Sequence, residues 1–158
     1  MRPITVTDID LMVELDSDPA VMRYITGGTP TSPEEAAATV HRSLAHRWVA
    51  HERASNGFIG WFGLRPSGDN EAELGYRLRQ ASWGNGYATE GARHLIERGF
   101  TNQRLHRIWG QTMTVNTASR RVMEAVGMQY VRTFHIDWPE VIEGSEQGDV
   151  EYEILAPY

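Results

Sequence analysis

Apolar and polar positions alternate in two rhythms along this chain, and the change of rhythm marks out its elements. From Thr7 to Leu15 the apolar residues Ile9, Met12, Val13 and Leu15 fall near helical spacing. Asp18-Pro19 opens a second short helix through Met22 and Tyr24, and Gly27-Gly28 ends it. Ser32-Pro33-Glu34-Glu35 is a capping box with proline at the first helical position. It predicts a helix to about His46, with a face of Ala36, Val40, Leu44 and Arg47. A short first strand, Arg2 to Thr5, precedes these helices.

The period then drops to two. Trp48 to Ala54 and Phe58 to Leu64 read as strands joined by Ser55-Asn56-Gly57, where Asn-Gly is a hairpin signal. Pro66 to Asn70 reads as a second turn. Glu71 to Leu78 alternates Ala72, Leu74, Tyr76 and Leu78 against Glu71, Glu73, Gly75 and Arg77. Ala88 to Thr101 reads as a helix, Arg107 to Met113 as a strand, and Asn116 to Val126 as a helix ended by Gly127. Met128 to His135 and Val150 to Leu155 are the last strands, separated by a polar loop from Asp137 to Asp149.

Length and composition narrow the picture. At 158 residues the chain suits one domain, 1–158, with a sizeable core. It has no cysteine, which excludes disulfides, thiolate metal sites and a cysteine nucleophile and suits a reducing cytoplasm. No signal peptide and no membrane span are read from it. A net charge of −6 argues against nucleic acid as the main partner and for a cationic one. The histidines show no ligand spacing, so no metal site is expected.

The run Trp83-Gly84-Asn85-Gly86-Tyr87-Ala88-Thr89-Glu90 carries the most chemical information. Two glycines one residue apart, just before a helix, present free N–H groups at the positive end of a helix dipole. That is a cradle for a pyrophosphate. A P-loop would need Gly-Lys-Ser/Thr, and there is no lysine. A dinucleotide fingerprint would need a third glycine where Thr89 stands, and an acidic residue ending the next strand, which closes instead on Gln111-Thr112-Met113.

A third pattern fits. The run resembles the acetyl-CoA loop of the GNAT N-acetyltransferases, Arg/Gln-x-x-Gly-x-Gly/Ala, with Trp83 in the first place. Its wording is that of the branch resembling the ribosomal-protein N-terminal acetyltransferases of Rim type. Asn116 to Met128 resembles the family's Asn-x-x-Ala/Ser helix closed by Gly-Phe/Met, and the element order agrees. The resemblance implies an α/β (α+β) GNAT fold. It would have a mixed, mostly antiparallel twisted sheet of about six to seven strands with helices on both faces. A splayed parallel pair, the strands ending near Leu78 and Met113, would form the acetyl-CoA cleft.

The resemblance also implies an acetyl-CoA-dependent N-acetyltransferase working by direct transfer in a ternary complex, without a metal. Its acceptor would be a primary amine of a small molecule or a protein N-terminus, and a homodimer stays open. The residues expected to hold the cofactor are Tyr76, Arg77, Leu78, Trp83, Gly84, Asn85, Gly86, Tyr87, Ala88, Thr89, Asn116, Ser119 and Arg121. Asn116 is equally well placed as a plain helix cap. Glu73 resembles the family's base, with Glu71 on the same face as the fallback. Many members protonate the thiolate with a tyrosine seven residues after the asparagine, but Met123 stands there. Ser119 is then the candidate donor, or only a cofactor contact. Trp138, Glu140 and Glu143, in the acidic loop, are candidates for holding a cationic acceptor. Two other readings remain: a GNAT-like CoA-binding sensor without turnover, and a non-catalytic interaction protein.

Overall fold

The structure is a computed structural model that describes residues 1–157. A seven-stranded sheet organises it, in the order β1-β2-β3-β4-β5-β7-β6. The strands are β1 (Arg2–Pro3), β2 (Arg47–His51), β3 (Phe58–Gly68), β4 (Glu71–Leu78), β5 (Arg107–Met113), β6 (Gln129–Phe134) and β7 (Asp149–Leu155). The helices are α1 (Ile9–Asp16), α2 (Pro19–Met22), α3 (Pro33–Ser43), α4 (Tyr87–Asn102) and α5 (Thr117–Ala125). Every neighbouring pair of strands is antiparallel except β4–β5.

Period-two alternation divides the sheet residues between two cores. Phe62, Leu64, Ala72, Leu74, Ile108, Val150 and Tyr152 pack with Ala92, Leu95 and Ile96 of α4 and Met123 of α5. Val49 and Trp61, from the opposite face, pack with Met12, Leu15, Met22 and Val40 of α1–α3. Each helical layer therefore covers one face of the same sheet, as the resemblance implied.

The bounds of β4 and β5 agree with those read from the alternation. Others differ. The first strand is only Arg2–Pro3. The third helix stops at Ser43, whose hydroxyl donates to the Thr39 carbonyl at 2.8 Å, so Leu44 falls outside the helix and is exposed. β3 runs on through Pro66 to Gly68 across a bulge, which tolerates a proline that otherwise signals a turn.

Candidate active site

The site begins where two parallel strands part. β4 and β5 pair at only three positions, Glu71–Arg107, Ala72–Ile108 and Glu73–Trp109. Beyond Glu73 they diverge, and no partner strand fills the gap. The free edge of β4 can be read from the backbone. Arg79 N–H donates to the Ile59 carbonyl of β3 at 2.9 Å. Alternation then turns the amides of Leu74, Tyr76 and Leu78 the other way, into the gap. A chain of ligand amides laid in the gap would meet them as a strand would.

Below the gap, Arg107 clamps the paired end. Its guanidinium donates to Glu71 of β4 at 3.1 Å and to Glu151 and Glu153 of β7 at 2.7 and 2.6 Å. His106 also approaches Glu71, at 3.3 Å. Glu71 is thus bound into the clamp. Glu73, one step nearer the gap, is paired through Oε2 with Arg65 across the β3–β4 register. Among the described residues its Oε1 has no protein partner.

Above the gap lies the glycine loop. Gly84 and Gly86 adopt φ of 77° and 78°, left-handed backbone that a Cβ would strain. A Cβ on either would meet nothing within 4 Å, so the space over the loop is open. The α4 ladder starts with Glu90 donating to Gly86, leaving the earlier amides at the helix's open end. Open space, exposed amides and the positive helix end together fit a pyrophosphate. Trp83 fixes the approach: its indole N–H donates to the Leu78 carbonyl at 3.0 Å while the ring stays 48% exposed. Asn85 ties the turn by donating to the Ser82 and Trp83 carbonyls, both at 3.1 Å. Tyr87 donates to Glu52 at 2.6 Å, which raises its phenol pKa. Ala88 and Thr89 follow in the first turn of α4.

The remaining expected residues fall into two groups. On the α4 face, the Tyr76 hydroxyl reaches across to α5 and lies 3.0 Å from Ser119 Oγ. Burial pushes the Tyr76 phenol up to about 12, so it stays protonated and able to donate. Asn116 is a helix cap: its Oδ1 accepts from Ser119 N–H at 3.3 Å and its Nδ2 donates to Thr112 at 3.0 Å. Arg121 is exposed on α5, whereas its neighbour Arg120 is tied to the Tyr152 hydroxyl and the Thr114 carbonyl, both at 3.2 Å.

On the opposite face, Arg77 points away from the gap. It pairs with Asp16 of α1 at 2.7 Å, so only its backbone borders the cleft. A pocket of about 180 Å³ lies here, between the sheet and α1–α3. Asp16, Arg47, Trp61 and Arg77 line it. The Arg47 guanidinium stacks 3.7 Å above the Trp61 ring, and burial pushes its pKa down to about 10, with Arg77 adding to the effect. Helical spacing read Arg47 onto the face of the third helix, but it opens strand β2 instead. The pairing of Arg77 with a residue 61 positions away left no local signal.

The acidic loop folds back over this same face. Ile142 is buried and lies 3.8 Å from the Cβ position of Gly27, just after α2. Glu143 reaches Arg23 at 4.0 Å, and Glu140 is exposed. The Trp138 indole nitrogen is buried and has no partner among the described residues. Asp149, where the loop enters β7, pairs in register with Met113 at the open end of β5. It is only 4% exposed, its Oδ1 has no partner among the described residues, and burial raises its pKa against the pull of His135.

The chain as a whole is similar to known proteins. The family description "Acetyltransferase (GNAT) domain" matches residues 1–129. The chain belongs to the GNAT N-acetyltransferase family. The FsC-acetyl coenzyme A-N(2)-transacetylase of Aspergillus fumigatus is 34% identical over 92% of this chain and 68% of its own length. A GNAT-family acetyltransferase from Bacillus anthracis has the same fold at a TM-score of 0.83 and 26% identity, covering 98% of this chain and 92% of that one. RimL, a ribosomal-protein alpha-N acetyltransferase solved with coenzyme A, superposes at a TM-score of 0.80 over 98% of this chain and 92% of its own, at 16% identity. That last likeness speaks for the fold. The GNAT chain is an N-acetyltransferase, and none of its helices is long and apolar enough to cross a membrane among the described residues.

Proposed function

We propose that this GNAT chain moves the acetyl group of acetyl-CoA directly to a primary amine while both are bound. The observation that carries the reading is the strand gap beyond Glu73, edged by free β4 amides and headed by the open glycine loop. Gly84 to Thr89 would hold the pyrophosphate, and the Tyr76 and Leu78 edge the arm. Acetyl-CoA supplies the activated acyl group and a thiolate leaving group. The chain has no cysteine to carry an acyl intermediate.

Glu73 would take the amine's proton through Oε1, directly or by way of water. Its other oxygen is held by Arg65, which fixes the orientation of the carboxylate. Ser119 would donate a hydrogen bond to the thiolate, backed by the protonated Tyr76 hydroxyl beside it. Tyr76 would thus offer a phenol beside Ser119, while Met123 stands at the position of the family's tyrosine.

The test is a thermal shift with CoA. Ligand should raise the melting temperature of the wild-type chain by mass action. Gly86→Asp should abolish the shift, because it sets a negative charge at the cradle. Its Cβ meets no protein atom within 4 Å, but the left-handed φ of 78° strains any side chain, so the variant's own melting curve without ligand is the control for folding. No shift with wild-type protein at millimolar CoA would refute the reading. Thiol release from acetyl-CoA with a panel of amines then finds the acceptor.

A further inference from the structure

We propose that the acceptor amine also carries a carboxylate, and that Arg47 receives it in the pocket beside Trp61. The inference rests on the N-acetyltransferase reading and narrows its substrate class. Two guanidinium groups line the pocket, and they are not equivalent. Arg77 pairs through Nη1 with Asp16 at 2.7 Å, and its buried Nε has no partner among the described residues. For Arg47, no carboxylate lies within 4.0 Å and no hydrogen-bond acceptor is found among the described residues. It is half-buried and stacked on Trp61 at 3.7 Å. Glu35 sits at the rim, exposed and forming no ion pair with it.

Asp16 attracts Arg47 from beyond 4.0 Å but pairs with Arg77, and a half-buried cation with no anion in contact is an unfavourable arrangement for a fold to keep. Packing alone would be met by an uncharged side chain of similar length. Stacking instead fixes the plane of the guanidinium and leaves its fork of donors free, the geometry that grips a carboxylate through two parallel hydrogen bonds.

Position and size agree with a substrate. The pocket lies on the face of β4 that carries Glu73. Trp61 reaches Gly75, the residue between Glu73 and Arg77: a Cβ there would lie 3.4 Å from the indole. The register sets Arg47 opposite Gly63 and Gly63 opposite Gly75, so a carboxylate on Arg47 would leave the rest of a small molecule to run past the Trp61 indole toward Glu73. A volume of about 180 Å³ equals about six waters, enough for a carboxylate and a few carbons. The class is an amino acid or a similar small amine bearing an acid, and not a polyamine.

The test uses CoA-saturated protein. It is titrated calorimetrically with each of the proteinogenic amino acids, with the matching carboxamides and with spermidine. The same compounds are then assayed with acetyl-CoA by thiol release. At least one amino acid should bind and react about 10-fold or more better than its carboxamide and than spermidine. Arg47→Gln should raise that amino acid's Kd and KM by about 10- to 100-fold, the scale of a lost charge-assisted hydrogen bond. It should leave the carboxamide and the CoA thermal shift unchanged. Arg47→Lys, which keeps the charge and loses the fork, should fall between and guards against misfolding. Equal use of acid and carboxamide, preference for spermidine, no binding of any amino acid, or an Arg47→Gln chain with unchanged Kd would each overturn the proposal. If CoA itself gives no shift, the transferase reading fails first.

Discussion

Glu71 and Glu73 stand two residues apart on one face of β4, yet their partners give them different chemistry. Alternation alone leaves both as candidate bases, because it fixes the face of a strand and not its neighbours. The neighbours decide. Arg107 and His106 hold Glu71 at the closed end of the splay. Glu73 is held by one oxygen only, at the last paired position before the gap. Glu73→Gln should lower turnover by about 10²-fold, the usual scale of base catalysis, with the CoA thermal shift unchanged. Stability should barely move, because Arg65 is 63% exposed and surface ion pairs contribute little. Steady-state kinetics across pH provide the check. Near-normal turnover in the variant would pass the role to Asp149 or to water. Ser119 shows the same limit of local reading: its helical spacing from Asn116 was legible, but the Tyr76 hydroxyl beside it comes from a strand 43 residues away.

At the scale of elements, sequence punctuation worked where it had a local physical cause. The Ser32 cap, the glycine pair before α4 and the alternation of β4 and β5 each specify their own backbone, and each stands where it was read. It failed where tertiary structure decides, as at the bulged extension of β3. The seating of α4 on the sheet belongs to this second class. Gly91 lies in the helix interior, where glycine is ordinarily unfavourable. A Cβ there would come within 2.3 Å of the Phe62 ring, so its absence lets α4 settle directly on β3. Gly91→Ala should therefore destabilise the chain by about 1–3 kcal/mol, the cost of overpacking, despite alanine's better helix propensity. The displaced helix should also weaken CoA binding, since the proposed cradle includes its first turn. Urea unfolding and the CoA thermal shift measure the two effects. A variant as stable as the wild type would show that Phe62 has room to turn aside.

Across the whole molecule, the site is made by elements that meet only in the fold. The splay joins β1–β4 to β5–β7, and the acidic loop reaches back from β7 to the turn after α2. Motifs pointed to the family and marked out the glycine loop, but no motif could place Arg47 beside Arg77 or bury Asp149. Asp149 makes that burial measurable through stability. Two aspartates respond to pH in opposite senses. The Arg2 hydrogen bond lowers the pKa of Asp8, outweighing its burial, so its stabilisation is present above the ordinary aspartate range and is lost as pH falls through the lowered value. Burial raises the pKa of Asp149. Its folded state binds a proton more readily than the unfolded chain, so its contribution is complete below the ordinary aspartate pKa of about 3.9 and is lost as pH rises through the raised value. Asp149→Asn removes that loss and keeps Asp8. The variant should melt higher than the wild type at pH 8, and the gap should close as pH falls toward about 3.9. Subtracting the two melting curves cancels Asp8 and every other shared group. If Asp149 is also poised to accept a proton at the open end of β5, the more stable variant will be the slower enzyme, the usual exchange at a site kept under strain. A gap of constant size at every pH would mean that the amide simply packs better, and the buried, ionising carboxylate would have to be abandoned.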